Sequence, residues 1–552
     1  MPTLEVSKRD LEKLVGKTFW LEGLEEALMY VKGEIDGSDG DKLSIDVKET
    51  NRPELWSTEG IAREIRARIG REKGIRKYRV GKARTSCTID KSVEKSRPFI
   101  CCAVIRGVKV TENLLVQMIQ LQEKVSTTFG RKRRETGIGL YDFDKMTPPI
   151  YYKGLGNNEI EFAPLEYRVK MRPSEILAEH PKGKEFGHLL QGTERFPIVI
   201  DSRNVVASMP PIINSEETGK VTEKTRNLFL EVTGWNWETV NTALKVMVMA
   251  LADRGGKIEA VKINFPKTKS YPSKSIETPQ FGTKKISFAL EYANKVSGIS
   301  FKPNEIVLLA GRSGMNAKVK GKKVEVEYPD YRQDILHPID IVEDIIISYG
   351  YNRIEPEPIR MPVIGEERPE TIWMDLIRDV CVGLGLQEVL TFTMSSKEKQ
   401  EQKTGLVGER FVEIANPVSS NWEAFRKTIF PELLEFLSKN KHVSFPHKIF
   451  EVGKTLELNP QFETGVEEKI KLCIVLSDPR ADFSSAKSVL EAVCRNMNWN
   501  YSLKEAEHPA LVKGKTGEIS VGGRKGIIGE LSQKTLKGFG VEEKTCVIEL
   551  EI

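Results

Sequence analysis

The 552 residues carry 84 lysines and arginines against 79 aspartates and glutamates, a net charge of +5, with 30% charged and 39% hydrophobic residues. That length exceeds what one core supports and calls for roughly three to five domains. So evenly mixed a surface excludes a protein that grips nucleic acid over its whole face, leaving only local contacts.

No run of about 18 apolar residues is present to span a bilayer, and the opening MPTLEVSKRDLEKLVG lacks the apolar core of a secretory signal. A cytoplasmic chain without membrane contact is expected. The seven cysteines are scattered without CxxC spacing, so they read as reduced, mostly buried thiols.

In chain order, residues 1–85 predict an N-terminal α+β domain with a helix from Lys8 through Val15. It ends in NRPELWSTEGIAREIRARIG, where Arg52-Pro53 marks a turn and Ser57 or Thr58 caps a helix with Ile61, Ala62, Ile65 and Ile69 at helical spacing. Residues 86–265 predict a larger α/β module. It holds the strand-like FICCAVIRGVKV, a helix from Glu112 to Val125, the buried-looking strand Phe196–Ile200, the strand RNLFLEVTGW and an apolar helix from Val240 to Ala252. Within it Arg131, Lys132, Arg133 and Arg134 form the best candidate for contact with RNA phosphates, a solvated charged turn being the alternative.

Residues 264–285, with Pro266, Pro272 and Pro279, read as a linker. A compact module over 270–352 follows, in which helices and the hairpin AKVKGKKVEVEYP, turning at Gly321, resemble a winged-helix unit. The proline-broken EPEPIRMPVIGEERPE closes it. Over 360–552 the segments LGLQEVLTFTM, RFVEIANPVSS, HKIFEVGKTLEL, KIKLCIVLS, TGEISVGG and KGIIGELS predict a mostly antiparallel sheet flanked by helices.

The densest chemistry lies in YPDYRQDILHPIDIVEDIIISYGYNRIEP. Asp340, Glu343 and Asp344 are spaced by three and four and share one helical face, and Asp334 on the preceding turn can close the group. Four carboxylates suit a hard, oxygen-seeking ion such as Mg2+, divided between direct and water-mediated contacts. The helix dipole alone also favours acidic residues in a first turn, where they face solvent.

Arg332 and Asp334 with Asp340, Glu343 and Asp344, then Tyr349-Gly350-Tyr351 and Ile354-Glu355-Pro356, resemble the metal-bearing module of the phenylalanine–tRNA ligase beta subunit family. The distant string Asn51-Arg52-Pro53-Glu54-Leu55 with Glu59-Gly60-Ile61-Ala62-Arg63-Glu64 resembles the same family, of archaeal and eukaryotic type. In the last 180 residues, Asn416-Pro417-Val418-Ser419, Arg426, Pro431-Glu432-Leu433-Leu434 and Phe450-Glu451-Val452-Gly453 are similar to a class II synthetase catalytic domain.

The resemblance covers nearly the whole chain, most thinly between residues 140 and 195. It implies an α/β and α+β multidomain fold: an N-terminal α+β domain, an editing module, a winged-helix-like module and a class II catalytic-like antiparallel sheet domain. It also implies an alpha2beta2 heterotetramer that joins phenylalanine to tRNA(Phe) with ATP, which is bound mainly by the alpha subunit.

A class II site needs arginines against the triphosphate. In competent members an arginine stands two residues before the motif glutamate; here Lys448-Ile449-Phe450-Glu451 has isoleucine at that place. The terminal arginine motif has no match in KGIIGELSQKTLKGFG. Residues 360–552 are therefore expected to make no adenylate and to pack against the alpha subunit.

An apolar pocket discriminates weakly against an added hydroxyl, so a second, hydrolytic site that releases tyrosine is physically useful. By resemblance that editing pocket takes Val199, Ser208 in SMPP, and Glu231 and Thr233 in LEVTGW, with the carboxylate accepting the tyrosyl phenol. The archaeal type carries aspartate where this chain has Glu231, and the added methylene moves the carboxylate by more than roughly 1 Å. No cysteine–histidine pair marks a covalent nucleophile, so an oriented water is expected to attack the ester. Other readings are a non-editing tRNA-binding and assembly scaffold of the same complex, and a freestanding regulator, whose recognition helix would offer only Lys295.

Overall fold

The computed structural model describes residues 2–359, 361 and 363–552, and the chain divides into two compact units, Met1–Glu357 and Pro358–Ile552. None of its described helices is long and apolar enough to cross a membrane. Residue 360, at which the last domain was expected to begin, lies outside the described residues, as does Pro362 of the proline-broken segment.

The first unit opens with a three-stranded antiparallel sheet, Thr3–Ser7, Lys42–Val47 and Gly33–Asp39 in that spatial order, with helices Lys8–Val15 and Leu21–Met29. Ser7 caps the first helix by accepting from the Asp10 N–H, and Gly16 ends it in the left-handed region at φ 74°. Ser57, rather than Thr58, caps Thr58–Arg68, accepting the Gly60 N–H at 3.0 Å.

A ten-stranded mixed sheet follows. Its order is Ile213–Asn214, Val206–Met209, Phe196–Ile200, Ile150–Leu155, Val80–Ile89, Lys257–Asn264, Phe99–Arg106, Leu228–Gly234 and Thr136–Asp142, with Ile276–Thr278 beside Lys257–Asn264. The sheet curls until its ends meet: Tyr141 near one edge reaches Ser208 near the other at 2.7 Å, and the Asn214 amide donates to the Leu140 carbonyl at 3.3 Å. Closure of this kind hides strand edges, but no backbone ladder joins these two ends. The seam is held by side chains.

Inside the curl lies a core of Cys87, Ile100, Cys102, Tyr141, Tyr152, Val199, Phe229 and Ile263. Along Leu228–Gly234 the residues alternate as strand geometry requires, Leu228, Leu230 and Val232 packing on the outer side and Phe229 on the inner. The outer side shares one core with helices Glu112–Lys124, Thr58–Arg68 and Trp237–Asp253 and with the N-terminal sheet.

Two expected boundaries move accordingly. The 85/86 border cuts through strand Val80–Ile89, because the N-terminal α+β elements complete the cover of the sheet and do not bury their apolar face alone. The segment 264–285 is no free linker, since Ile276–Thr278 pairs antiparallel with Lys257–Asn264.

The module over 270–352 is a three-stranded antiparallel sheet, Thr283–Ala289, Lys323–Pro329 and Asn316–Lys320, packed on helices Leu290–Ser297, Pro303–Arg312 and Pro338–Tyr349. The hairpin turns at Gly321 with φ 59°, where a glycine avoids the Cβ penalty.

The second unit is a seven-stranded sheet ordered Gln387–Glu388, His447–Leu458, Val466–Ser477, Thr545–Glu551, Arg524–Leu531, Leu511–Val521 and Tyr501–Glu505, antiparallel except for its first pair. The expected strand in RFVEIANPVSS does not form: residues 410–420 make only isolated pairings, such as Phe425 N–H to the Val412 carbonyl, and Pro417 cannot donate to a ladder. LGLQEVLTFTM supplies only Gln387–Glu388 and Met394–Ser395.

Candidate functional site

A pocket of about 430 Å³ opens at the seam of the curled sheet. Ile138, Leu140, Pro210, Pro211 and Ile212 give it apolar walls, and Ser208 and Glu231 stand in its lining. Of the four residues expected there, these two are present.

Val199 is fully buried in the inner core, the register partner of Ser208 on the neighbouring strand. Thr233 is likewise buried and serves Arg97, whose guanidinium donates to its hydroxyl at 2.9 Å and to its carbonyl at 2.7 Å. Neither is among the residues that line the pocket, since a strand places residues two apart on one face without bringing both to the mouth.

Glu231 is 2% exposed. Its Oε1 lies 2.8 Å from the Tyr141 hydroxyl, whereas its Oε2 has no hydrogen-bond partner. Burial pushes the Glu231 carboxyl up to about 7, against the Tyr141 hydrogen bond, the Arg97 charge and Ser208, which all favour the ionised form. Burial also brings the Arg97 guanidinium down to about 10.

Gly139 lies opposite Glu231 in the ladder. A Cβ there would overlap the Tyr141 hydroxyl and come within 2.6 Å of Glu231 Oε1, so the glycine makes room for the phenol–carboxylate contact. Tyr141, Arg97 and Gly139 escaped sequence reasoning. The only signal was the glycine alternation in TGIGLYD.

The basic turn at the pocket rim is built on strain: Arg131, Lys132 and Arg133 occupy the left-handed region at φ 47°, 54° and 65°. Arg133 does not face outward as expected. Its guanidinium donates to the Pro211 and Ile212 carbonyls at 3.2 and 3.0 Å, pairs with Glu123 at 2.8 Å and lies over the Phe186 ring. Arg131, Lys132 and Arg134 remain exposed.

The expected four-carboxylate ion site does not assemble. Asp344 is buried and clamped by Arg68 at 2.5 Å and Arg332 at 2.7 Å. Asp334 binds Arg332 through both oxygens, at 2.8 and 2.5 Å. Asp340 accepts the Leu336 and His337 N–H groups at 2.8 and 2.7 Å, closing the helix N-terminus, and Glu343 reaches Lys32 at 2.9 Å.

Burial raises the Asp344 carboxyl, but Arg332, Arg68 and Arg52 outweigh it and hold the group far below the usual carboxylate range. Among the described residues no group of three or more His, Cys, Asp or Glu is disposed to hold a metal ion. Each of the four carboxylates is met by a cation or a backbone N–H of the protein itself.

One of these cations, Arg68, comes from the other singled-out string, whereas Arg332 belongs to the acidic string itself and Lys32 to neither. Arg52 bridges Glu54 at 2.9 Å and Glu64 at 3.0 Å, and Glu64 in turn holds Arg68. The two strings, 276 positions apart at Arg68 and Asp344, form one buried lattice.

In the second unit Arg426 is buried against Glu451 at 2.7 Å and donates also to the Thr391 hydroxyl and the Lys454 carbonyl. Three of its five N–H donors are so committed, which fixes the guanidinium against the sheet.

Two family descriptions match this architecture, and both are of synthetase parts: the tRNA synthetase B5 domain over residues 286–351, and the phenylalanyl tRNA synthetase beta chain CLM domain over residues 354–552. The class is thus that of aminoacyl-tRNA synthetase subunits. Over the full chain there is 43% identity to the phenylalanine–tRNA ligase beta subunit of Pyrococcus horikoshii, covering 99% of that protein, and 36% to that of Methanocaldococcus jannaschii, covering all of it. A crystal structure of an N-terminal fragment of the Pyrococcus horikoshii beta subunit is 45% identical, covers 63% of this chain and all of the fragment, and superposes with a TM-score of 0.61. The chain belongs to the phenylalanine–tRNA ligase beta subunit family.

Proposed function

We propose that this chain acts as the beta subunit of a phenylalanine–tRNA ligase and that its own chemistry is the hydrolysis of tyrosine wrongly joined to tRNA(Phe). The observation that carries the reading is Glu231, a buried carboxylate with one oxygen held and the other unpartnered, in an apolar pocket. A tyrosyl phenol supplies the missing donor; a phenylalanyl ring leaves the oxygen orphaned, at a cost of about 1–3 kcal/mol.

Hydrolysis here needs water. The lining contains neither histidine nor cysteine, so no activated side-chain nucleophile is at hand. A water oxygen bonds to the ester carbonyl carbon, the ester C–O bond breaks, and the terminal ribose hydroxyl leaves with a proton. The exposed Arg131, Lys132 and Arg134 at the rim suit phosphates of the acceptor end.

The second unit takes the assembly role. Arg426 is buried and paired with Glu451, and helix Pro369–Gly383 exposes Ile372, Trp373 and Leu376 on one face, an apolar stripe that suits docking to the alpha subunit in an alpha2beta2 assembly. ATP then binds mainly to that subunit, and the four carboxylates of this chain are given no Mg2+.

The test is deacylation of tyrosyl- and phenylalanyl-tRNA(Phe) by the assembled enzyme. Glu231→Ala is expected to lower tyrosine release about 100-fold. Unchanged release would remove Glu231 from the site and leave the scaffold reading.

A further inference from the structure

The editing reading assigns the carboxylate but leaves unexplained why a fully buried tyrosine stands behind it. Tyr141 is 0% exposed and absent from the pocket lining, so it meets no substrate. Its hydroxyl nevertheless lies 2.7 Å from Ser208 Oγ and 2.8 Å from Glu231 Oε1, joining the two polar groups that do line the pocket. They come from strands near opposite ends of the sheet order, and the Tyr141 phenol spans the seam between them.

A phenol has one proton, so two hydrogen bonds require it to donate in one and accept in the other. With Glu231 ionised, Tyr141 donates to Oε1 and accepts from the Ser208 hydroxyl. That fixes Oε1 on the core side, keeps Oε2 without a partner and leaves Ser208 with only lone pairs facing a ligand. With Glu231 protonated on Oε1 the direction reverses, and the Ser208 proton is released toward the pocket.

We infer that Tyr141 is a positioning residue for tyrosine recognition, holding Glu231 and Ser208 in one directed hydrogen-bond chain with a single carboxylate oxygen presented to the substrate phenol. The inference rests on the editing reading above. Gly139 is its second part, since any side chain there would displace the phenol–carboxylate contact. The remaining charged or titratable groups facing Glu231 are Arg97, from the segment before strand Phe99–Arg106, Cys102, opposite it in the ladder, and Tyr152, across the inner core. Of these only Arg97 favours the ionised carboxylate.

The test uses the assembled enzyme and measures kcat and KM for tyrosyl- and phenylalanyl-tRNA(Phe) between pH 5.5 and 9, in roughly half-unit steps. Tyr141→Phe keeps the ring and removes only the hydroxyl. The tyrosine-over-phenylalanine ratio of kcat/KM is expected to fall about tenfold, with most of the loss in KM for the tyrosyl ester. The pH at which tyrosine preference sets in is expected to move upward, because the lost hydrogen bond favoured the ionised carboxylate. Gly139→Ala is expected to reproduce the loss with Tyr141 present.

A Tyr141→Phe enzyme with the wild-type ratio and midpoint would reduce Tyr141 to core filling. A raised tyrosine preference would make it a competitor of the substrate phenol and overturn the inference equally. Failure of the editing reading is distinct, since the wild type itself would then show no preferential tyrosine release.

Discussion

Two regions of the first unit bury carboxylates, and they treat them oppositely. In the lattice that joins Arg52, Glu54, Glu64, Arg68, Arg332 and Asp344, each buried carboxylate meets a guanidinium, Glu64 and Asp344 meet two each, and only Glu54 keeps an oxygen without a partner. At the seam pocket, Glu231 is held by a neutral phenol and keeps an oxygen without a partner. Full pairing fixes a charge and makes it structural, whereas half pairing keeps a group that still seeks a donor, which is what recognition requires.

The largest expected effect comes from breaking the paired side. Arg68→Ala leaves Asp344 and Glu64 buried beside fewer cations and should destabilise the first unit by about 3–5 kcal/mol, read from the denaturant midpoint.

Glu231→Gln should act the other way, and only at high pH. The carboxyl is raised in the folded chain to about 7, so the stability it contributes is fully present below its unfolded value and is lost as pH rises through 7. The glutamine chain should therefore match the wild type near pH 4.5 and exceed it by on the order of 3 kcal/mol at pH 8, seen as a higher unfolding midpoint.

The smallest effects belong to the exposed end of the acidic string. Asp340→Ala removes a helix-closing acceptor and should cost about 1 kcal/mol, and Glu343→Ala, which loses an exposed pair with Lys32, no more than about 0.5 kcal/mol. Both should leave the magnesium content of the purified chain unchanged; a stoichiometric loss would restore the ion site.

Local signals carried well in the sequence. The helix Lys8–Val15 begins and ends where its serine and glycine place it, and the Gly321 hairpin forms as the alternation demands. Ser208 and Glu231, which the resemblance singles out, both line the pocket.

What failed was whatever depends on partners far along the chain. Asp344 reads as a free carboxylate until Arg68 arrives from 276 positions away, and Tyr141 carries no local mark of reaching Ser208 across the seam. Val199 and Thr233 lie deeper for a related reason: alternation tells which side of a strand a residue occupies, but depth along the strand decides between core and mouth.

The position of Lys257–Asn264 in the curled sheet has a consequence for synthesis. It lies between Val80–Ile89 and Phe99–Arg106, the innermost strands of the two halves that carry Ser208 and Glu231. As the polypeptide leaves the ribosome, those halves lack their wedge until residue 264 has emerged. The seam pocket is therefore completed only after Ser208 and Glu231 have both been made.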